Sequence, residues 1–169
     1  DWDGQSQGLV FESVEHSGNS TGSEEEVVHI AALVERLHGR PYQLASGEQG
    51  TLGGDQILVT APYNVQVNRL KRRLGGMARV GTVDRFQGQE GDVVVYSMGR
   101  LAEGPGDVPF LYELNRLNVA LSRARLQAIV ISRRDAMFPP VSNPEQLMLA
   151  SRFIRAVSGS TADEPDHLI

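Results

Sequence analysis

Between Val80 and Asp92 the chain reads Val-Gly-Thr-Val-Asp-Arg-Phe-Gln-Gly-Gln-Glu-Gly-Asp, which sets carboxylates, amides and glycines on the seam between two apolar runs. A core strand has no use for that composition. A loop that meets a phosphate or a ribose needs glycine where the backbone must come close and a carboxylate to accept from hydroxyls. Two further stretches carry chemistry of the same kind. In Thr60-Ala61-Pro62-Tyr63-Asn64-Val65-Gln66 an aromatic ring stands where a strand gives way to a helix. It is either a core aromatic in line with Val67, Leu70 and Leu74, or a ring free to stack on a base. In Leu111 to Arg125, Leu114, Leu117, Leu121 and Ala124 fall on one helical face while Arg116 and Arg123 project from nearly the opposite one. Arg125 points along the leucine stripe unless the helix has ended, so Arg123 is the cation placed to reach across a cleft.

The elements that must hold these groups follow from periodicity. Leu9 to Val14 reads as a strand. Ser23 followed by Glu26 forms a capping box for a helix to about His38, with Val27, Ile30, Ala31, Val34 and Leu37 on one face. Gly39 to Gly54 is a turn-rich connector. Asp55 to Thr60 is a central strand, and Pro62 permits a helix just behind it. Gly75-Gly76 stops that helix, and the chain re-enters the sheet at Arg79 to Val83. Val93 to Met98 is a buried strand, and Gly99 to Pro109, with three glycines and two prolines, is a mobile connection. Gln127 to Ser132 is the last strand, followed by a Pro-Pro stop. Asn143-Pro144-Glu145 opens a helix to about Val157 that can cover the sheet edge. Strands alternating with helices imply a mostly parallel sheet in a three-layer α/β/α domain. The expected division is a loose segment over 1–8, the α/β domain over 9–142, a packed helix over 143–157 and a disordered acidic tail over 158–169.

Composition bounds the function. The 169 residues suit one domain, and 40% hydrophobic content excludes a disordered chain. With a net charge of −5, nucleic acid would have to meet a local basic patch. Arg69, Lys71, Arg72, Arg73 and Arg79 form such a cluster, which reads equally as a solvated helix face or as contacts to a nucleic-acid backbone. There is no cysteine and the four histidines lack metal-ligand spacing, so no metal site and a reducing cytoplasm are expected. No apolar run approaches the roughly 20 residues that span a bilayer. The chain begins at Asp1 without Met, as a piece of something longer would.

The three chemical stretches resemble motifs IV (Thr60 to Gln66), V (Val80 to Asp92) and VI (Leu111 to Arg125) of the superfamily 1 helicases. The branch most similar translocates five-prime to three-prime and includes the nonsense-mediated-decay helicase and the Okazaki-fragment nuclease-helicase; bacterial fusions of a RecB-like nuclease to a helicase look nearest. What resembles them is the second, C-terminal RecA-like domain, a P-loop NTPase-type fold. The chain has no Walker A run of its own, G-x-x-x-x-G-K-[ST], and no strand ending in an acidic pair for Mg²⁺.

The resemblance implies ATP with Mg²⁺, mostly held by the N-terminal RecA-like domain of the same full-length protein, and single-stranded DNA or RNA as the track. By the same analogy Tyr63 would stack on adenine, Glu90 would bind the ribose, Gly88 would let the backbone approach, and Arg123 would be the arginine finger. Gln87 would couple the nucleotide cleft to the track. Val67 stands where several relatives carry Arg, which leaves a second γ-phosphate contact from there open. Thr60, Asn64, Thr82 and Asn118 are candidates for phosphate or sugar contacts. The residues alone leave Glu90 open as a surface carboxylate near Arg85 and Arg123 as a surface cation paired with a carboxylate. The whole chain reads as a helicase or translocase motor domain inactive by itself. The alternatives are a stand-alone RecA-like module that binds nucleic acid or a protein, and an unrelated doubly wound domain binding a mononucleotide.

Overall fold

The computed structural model describes residues 8–15, 22–86, 88–112 and 122–158. Its frame is a five-stranded, wholly parallel sheet in the order β1-β7-β6-β4-β5, formed by β1 (Gly8–Ser13), β4 (Ile57–Thr60), β5 (Arg79–Gly81), β6 (Gly91–Ser97) and β7 (Ala124–Ser132). Every residue of β4 and β6 is buried, as continuous Val/Ile/Leu runs covered on both faces require. Alternate side chains enter two cores. On one face Ile57, Val59, Val93, Val95, Ile129 and Ile131 meet α1 (Glu24–Leu37) and α2 (Asn64–Leu74). On the other, Leu58, Val94, Tyr96 and Val130 meet the single-turn α3 (Val108–Leu111), the residues Val83 and Phe86, and α4 (Pro144–Ser158). This is the expected three-layer arrangement, and α4 packs on α3 and the edge strand β1 through buried Ala150, Phe153 and Val157 while Leu147 stays exposed.

Four expectations change. The connector after α1 contains an antiparallel hairpin, β2 (Pro41–Gln43) with β3 (Gln49–Thr51), whose Tyr42 and Leu44 are buried in the first core along with Leu52, just beyond β3. The strand at Arg79 ends at Gly81, and Val83–Phe86 turns as a 3-10 segment whose apolar residues enter the second core. The last strand starts three residues earlier than expected, so Ala124 and Arg125 are strand residues and no helix runs through them. Residues 113–121 of the expected helix, with Leu114, Arg116, Leu117, Asn118 and Leu121, lie outside the described residues, as does the tail after Ser158. Finally, the 99–109 connection is tied down: Arg100 pairs with Asp107, whose Oδ2 accepts from Glu103 N at 3.0 Å, and Val108 is fully buried.

Only half of the capping box forms. Ser23 Oγ accepts from Glu26 N at 3.0 Å, but Glu26 does not reach back. The Ser23 N–H donates instead to Gln66 Oε1 (2.9 Å), and Gln66 Nε2 donates to Ser97 Oγ (2.9 Å) and Ser23 O (3.1 Å). Glu26, fully buried, accepts from Ser97 Oγ at 2.5 Å and Gly99 N at 2.9 Å. This network locks α1, α2 and the end of β6 to one another. Among the described residues no helix is long and apolar enough to cross a membrane.

Candidate functional site

A parallel sheet has two unlike rims, and the candidate residues divide between them. At the rim where strands begin, Glu90 immediately precedes β6 and Arg123 immediately precedes β7; Gly91 N donates to Arg123 O at 3.0 Å. Glu90 is exposed. Arg123 is half-buried, and its Nε is buried with no hydrogen-bond partner among the described residues. A guanidinium N–H withdrawn from water and left without an acceptor costs on the order of 1–3 kcal/mol, so the position favours an incoming anion. Gly88, two residues before Glu90, adopts φ +76°, where a side chain is strained, and open space surrounds the Cβ it lacks. Gln87 lies outside the described residues.

Arg79 holds this rim together. Its guanidinium donates to Glu90 O and Asp55 O, each at 3.4 Å, and to Gln89 Oε1, and it lies 5.6 Å from the centroid of the Phe86 ring. It therefore leaves the basic cluster that the sequence grouped with Arg69, Lys71, Arg72 and Arg73; the last three remain exposed in the final turn of α2, where they complement the helix dipole. Arg125, freed from any helix, reaches Glu48 Oε2 at 2.6 Å in the hairpin turn and lies 3.3 Å from Asp92 Oδ1, in ion-pair range but outside hydrogen-bond geometry. Asp92 is buried, and the Tyr42 hydroxyl is pushed upward by burial first and then by that nearby carboxylate. Sequence spacing sets Arg125 along the leucine stripe and gives Asp92 no partner, because the hairpin that brings Glu48 towards them is not visible in the sequence.

At the opposite rim, where strands end, stand Thr60, Tyr63, Asn64 and Thr82. Thr60 pairs in register with Gly81, so Thr60 and Thr82 lie at the ends of neighbouring strands. Thr60 is 2% exposed and its Oγ1 has no hydrogen-bond partner among the described residues. Tyr63 is the N-cap of α2 and makes no side-chain capping bond. Its ring turns to the second core, away from Val67, Leu70 and Leu74 in the first. It packs on Phe110 with centroids 5.2 Å apart and planes at 39°, and the Arg100 guanidinium carbon lies 5.8 Å from its centroid. Arg100 is set there by the buried Glu26, which accepts from the adjacent Gly99 at φ +72°.

Tyr63 is thus not brought together with Glu90 and Arg123. The seven residues of β6 separate the rims by about 20 Å at roughly 3.3 Å per residue. Asn118 lies outside the described residues.

Comparison with known proteins accords with this architecture. Residues 6–135 match the model of the AAA domain family. The chain is 31% identical over 137 residues to DNA polymerase alpha-associated DNA helicase A of Saccharomyces cerevisiae, covering 78% of this chain and 19% of that protein. It is 36% identical over 129 residues to DNA-binding protein SMUBP-2 of Rattus norvegicus, 72% of this chain and 12% of that one. It is 35% identical over 105 residues to DNA replication ATP-dependent helicase/nuclease DNA2 of Mus musculus, 55% and 10% of the two. The chain spans less than a fifth of the length of these relatives. A family match across most of the sequence, on a sheet with helices on both faces, means that the chain belongs to this AAA domain family, among the superfamily 1 helicases.

Proposed function

We propose that this chain is the second motor half of an ATP-dependent helicase or translocase, with the two rims of its sheet doing different work. The strand-start rim completes a nucleotide site whose phosphates and Mg²⁺ are seated on the N-terminal RecA-like domain of the full-length protein. The strand-end rim grips single-stranded DNA or RNA. The observation that carries this reading is Arg123: a guanidinium whose buried Nε has no hydrogen-bond partner among the described residues, beside the exposed Glu90, in a chain with no phosphate loop of its own. Arg123 donates to negative oxygen, Glu90 accepts from a ribose hydroxyl, and Gly88 keeps the loop open to close approach. ATP supplies the free energy for closing and opening the cleft between the domains. Thr60, Asn64 and Thr82 contact phosphates and sugars, and Tyr63, assigned to adenine by its motif, joins the strand-gripping set because of the rim on which it lies. The helicase/nuclease relative supports a place in the branch that couples a nuclease to the motor.

The test is Arg123→Ala in the full-length protein. Nucleic-acid-stimulated ATP turnover should fall about a thousandfold or more while nucleotide affinity changes little. Undiminished turnover removes the finger assignment and leaves a binding module without catalysis.

A further inference from the structure

The turn of the β2–β3 hairpin reaches the strand-start rim through Glu48, at the rung of the sheet that carries both Glu90 and Arg123. That rung is irregular. Gly91 pairs with Ala124 and Val93 with Gln127, so β6 advances two residues while β7 advances three, and Arg125 and Leu126 share the place opposite Asp92. The consequence is a change of face: Ala124 packs with the second core and Leu126, two residues on, with the first. A bulge of this kind re-aims a side chain. Here it sets the Arg125 guanidinium 3.3 Å from Asp92 Oδ1 and 2.6 Å from Glu48 Oε2. Both carboxylates are anchored. Asp92 is 4% exposed and its N–H donates to Gln56 O at 2.8 Å; the Glu48 carbonyl accepts from Leu44 N at 2.7 Å, and Leu44 is buried in the first core. A carboxylate as buried as Asp92 destabilises the fold unless a cation answers it, and an apolar residue could fill its place without that cost, so the pair needs a reason.

The reason stands beside it. Gly91 N donates to Arg123 O at 3.0 Å next to the bulge, which joins the backbone that sets Glu90 to the backbone that sets Arg123. The buried Nε of Arg123 has no hydrogen-bond partner among the described residues, so the aim of this side chain depends on how firmly the chain just after it is held. We infer that Arg125, seated between Asp92 and Glu48, is a positioning residue for Arg123: it fastens the start of β7 to β6 and to the hairpin, and so keeps the finger directed at the phosphates beside Glu90. This rests on the proposed function and gives the hairpin a part in the same site. Arg125 itself touches no nucleotide. An exposed ion pair contributes little to stability, but one that holds a reacting group to within an ångström of its working place contributes through the rate.

The experiment follows nucleic-acid-stimulated ATP turnover by the full-length protein. Arg125→Met should lower kcat about tenfold or more with little change in the KM for ATP. Asp92→Asn, which keeps the shape of the buried side chain, should act in the same direction, and Arg125→Lys, which keeps the charge without the planar fork, should fall between Arg125→Met and wild type. The decisive comparison is made in single turnovers with Arg123→Ala. If Arg125 acts through Arg123, the double variant Arg123→Ala, Arg125→Met should be no slower than Arg123→Ala alone. Losses that multiply would make Arg125 a brace of the fold only and overturn the inference, as would full kcat in both Arg125→Met and Asp92→Asn. Should Arg125→Met fail to fold, Asp92→Asn takes its place in the double variant. If Arg123→Ala itself keeps full turnover, the proposed function loses its finger and the positioning role falls with it; if Arg123→Ala is slow and the other outcomes fail, the positioning role alone falls.

Discussion

Glu12 and His29 show how much a single pair can say about conditions. His29 Nε2 lies 2.6 Å from Glu12 Oε2, joining α1 to the edge strand β1. The Glu12 carboxyl is held below its ordinary 4.5 chiefly by that hydrogen bond, with burial opposing it and the charges of His29 and Arg36 assisting. A carboxyl lowered in the folded state binds fewer protons there than in the unfolded chain. Its contribution is therefore complete above the ordinary value and lost as pH falls through the lowered one. Unfolding free energy should decline as pH falls through and below the ordinary 4.5, and Glu12→Gln should flatten part of that slope in urea titrations at stepped pH; an identical slope would remove the pair from the account. Glu26 teaches a different lesson at the same scale. Its spacing from Ser23 signals a local cap, and that signal is real for one of the two bonds. The carboxylate's other partners, Ser97 and Gly99, stand 71 and 73 positions away, beyond any short-range rule.

The elements were legible where burial is periodic and obscure where one residue type serves two structures. The five sheet strands, α1, α2 and α4 all stand where the apolar pattern puts them, since each must bury a face. Helical angles separate Arg123 from Arg125 in the sequence pattern, whereas in the structure Arg123 sits in a turn and Arg125 in β7. Leu121, Ala124 and Leu126 continue an apolar rhythm that fits a helix and a strand equally well, so periodicity alone could not mark the boundary. The hairpin was missed because its strands have three residues each, too few to alternate visibly. Glycine at Gly91 is demanded by the sheet: a Cβ there would sit 2.6 Å from Leu58 Cγ and 3.3 Å from Gln56 O. Gly91→Ala should therefore destabilise the fold by about 1–3 kcal/mol, read as a lower midpoint in thermal or urea unfolding. A midpoint equal to wild type would mean that β4 and β6 can part without cost.

For the whole molecule, alternation of strands and helices announces the three layers, but the order β1-β7-β6-β4-β5 is set by pairings between distant segments. That order decides the site. Motif V is contiguous in sequence, yet it leaves one rim after Gly81, crosses over the second core through Val83 and Phe86, and arrives at the other rim at Glu90. Gly81 and Glu90, nine positions apart, thus stand at opposite ends of the sheet, which linear spacing cannot convey. Under the proposed function Arg123 is a finger in a domain with no phosphate seat, and such a domain should not turn over ATP unaided. The isolated chain is expected to release phosphate at the rate of buffer in a coupled assay, with or without oligonucleotide; sustained turnover would mean that it holds a complete site.

β6 is buried along its entire length and hydrogen-bonded on both sides. It joins Glu90 at one end to the Gly99–Arg100 turn at the other and has no room to bend. Such a strand works as a lever arm: a tilt of about 10° at one tip sweeps the other through about 3.5 Å over its 20 Å length. Rotation forced on the guanidinium end would thus be delivered as displacement at the ring end, with the interior of the sheet moving as a solid.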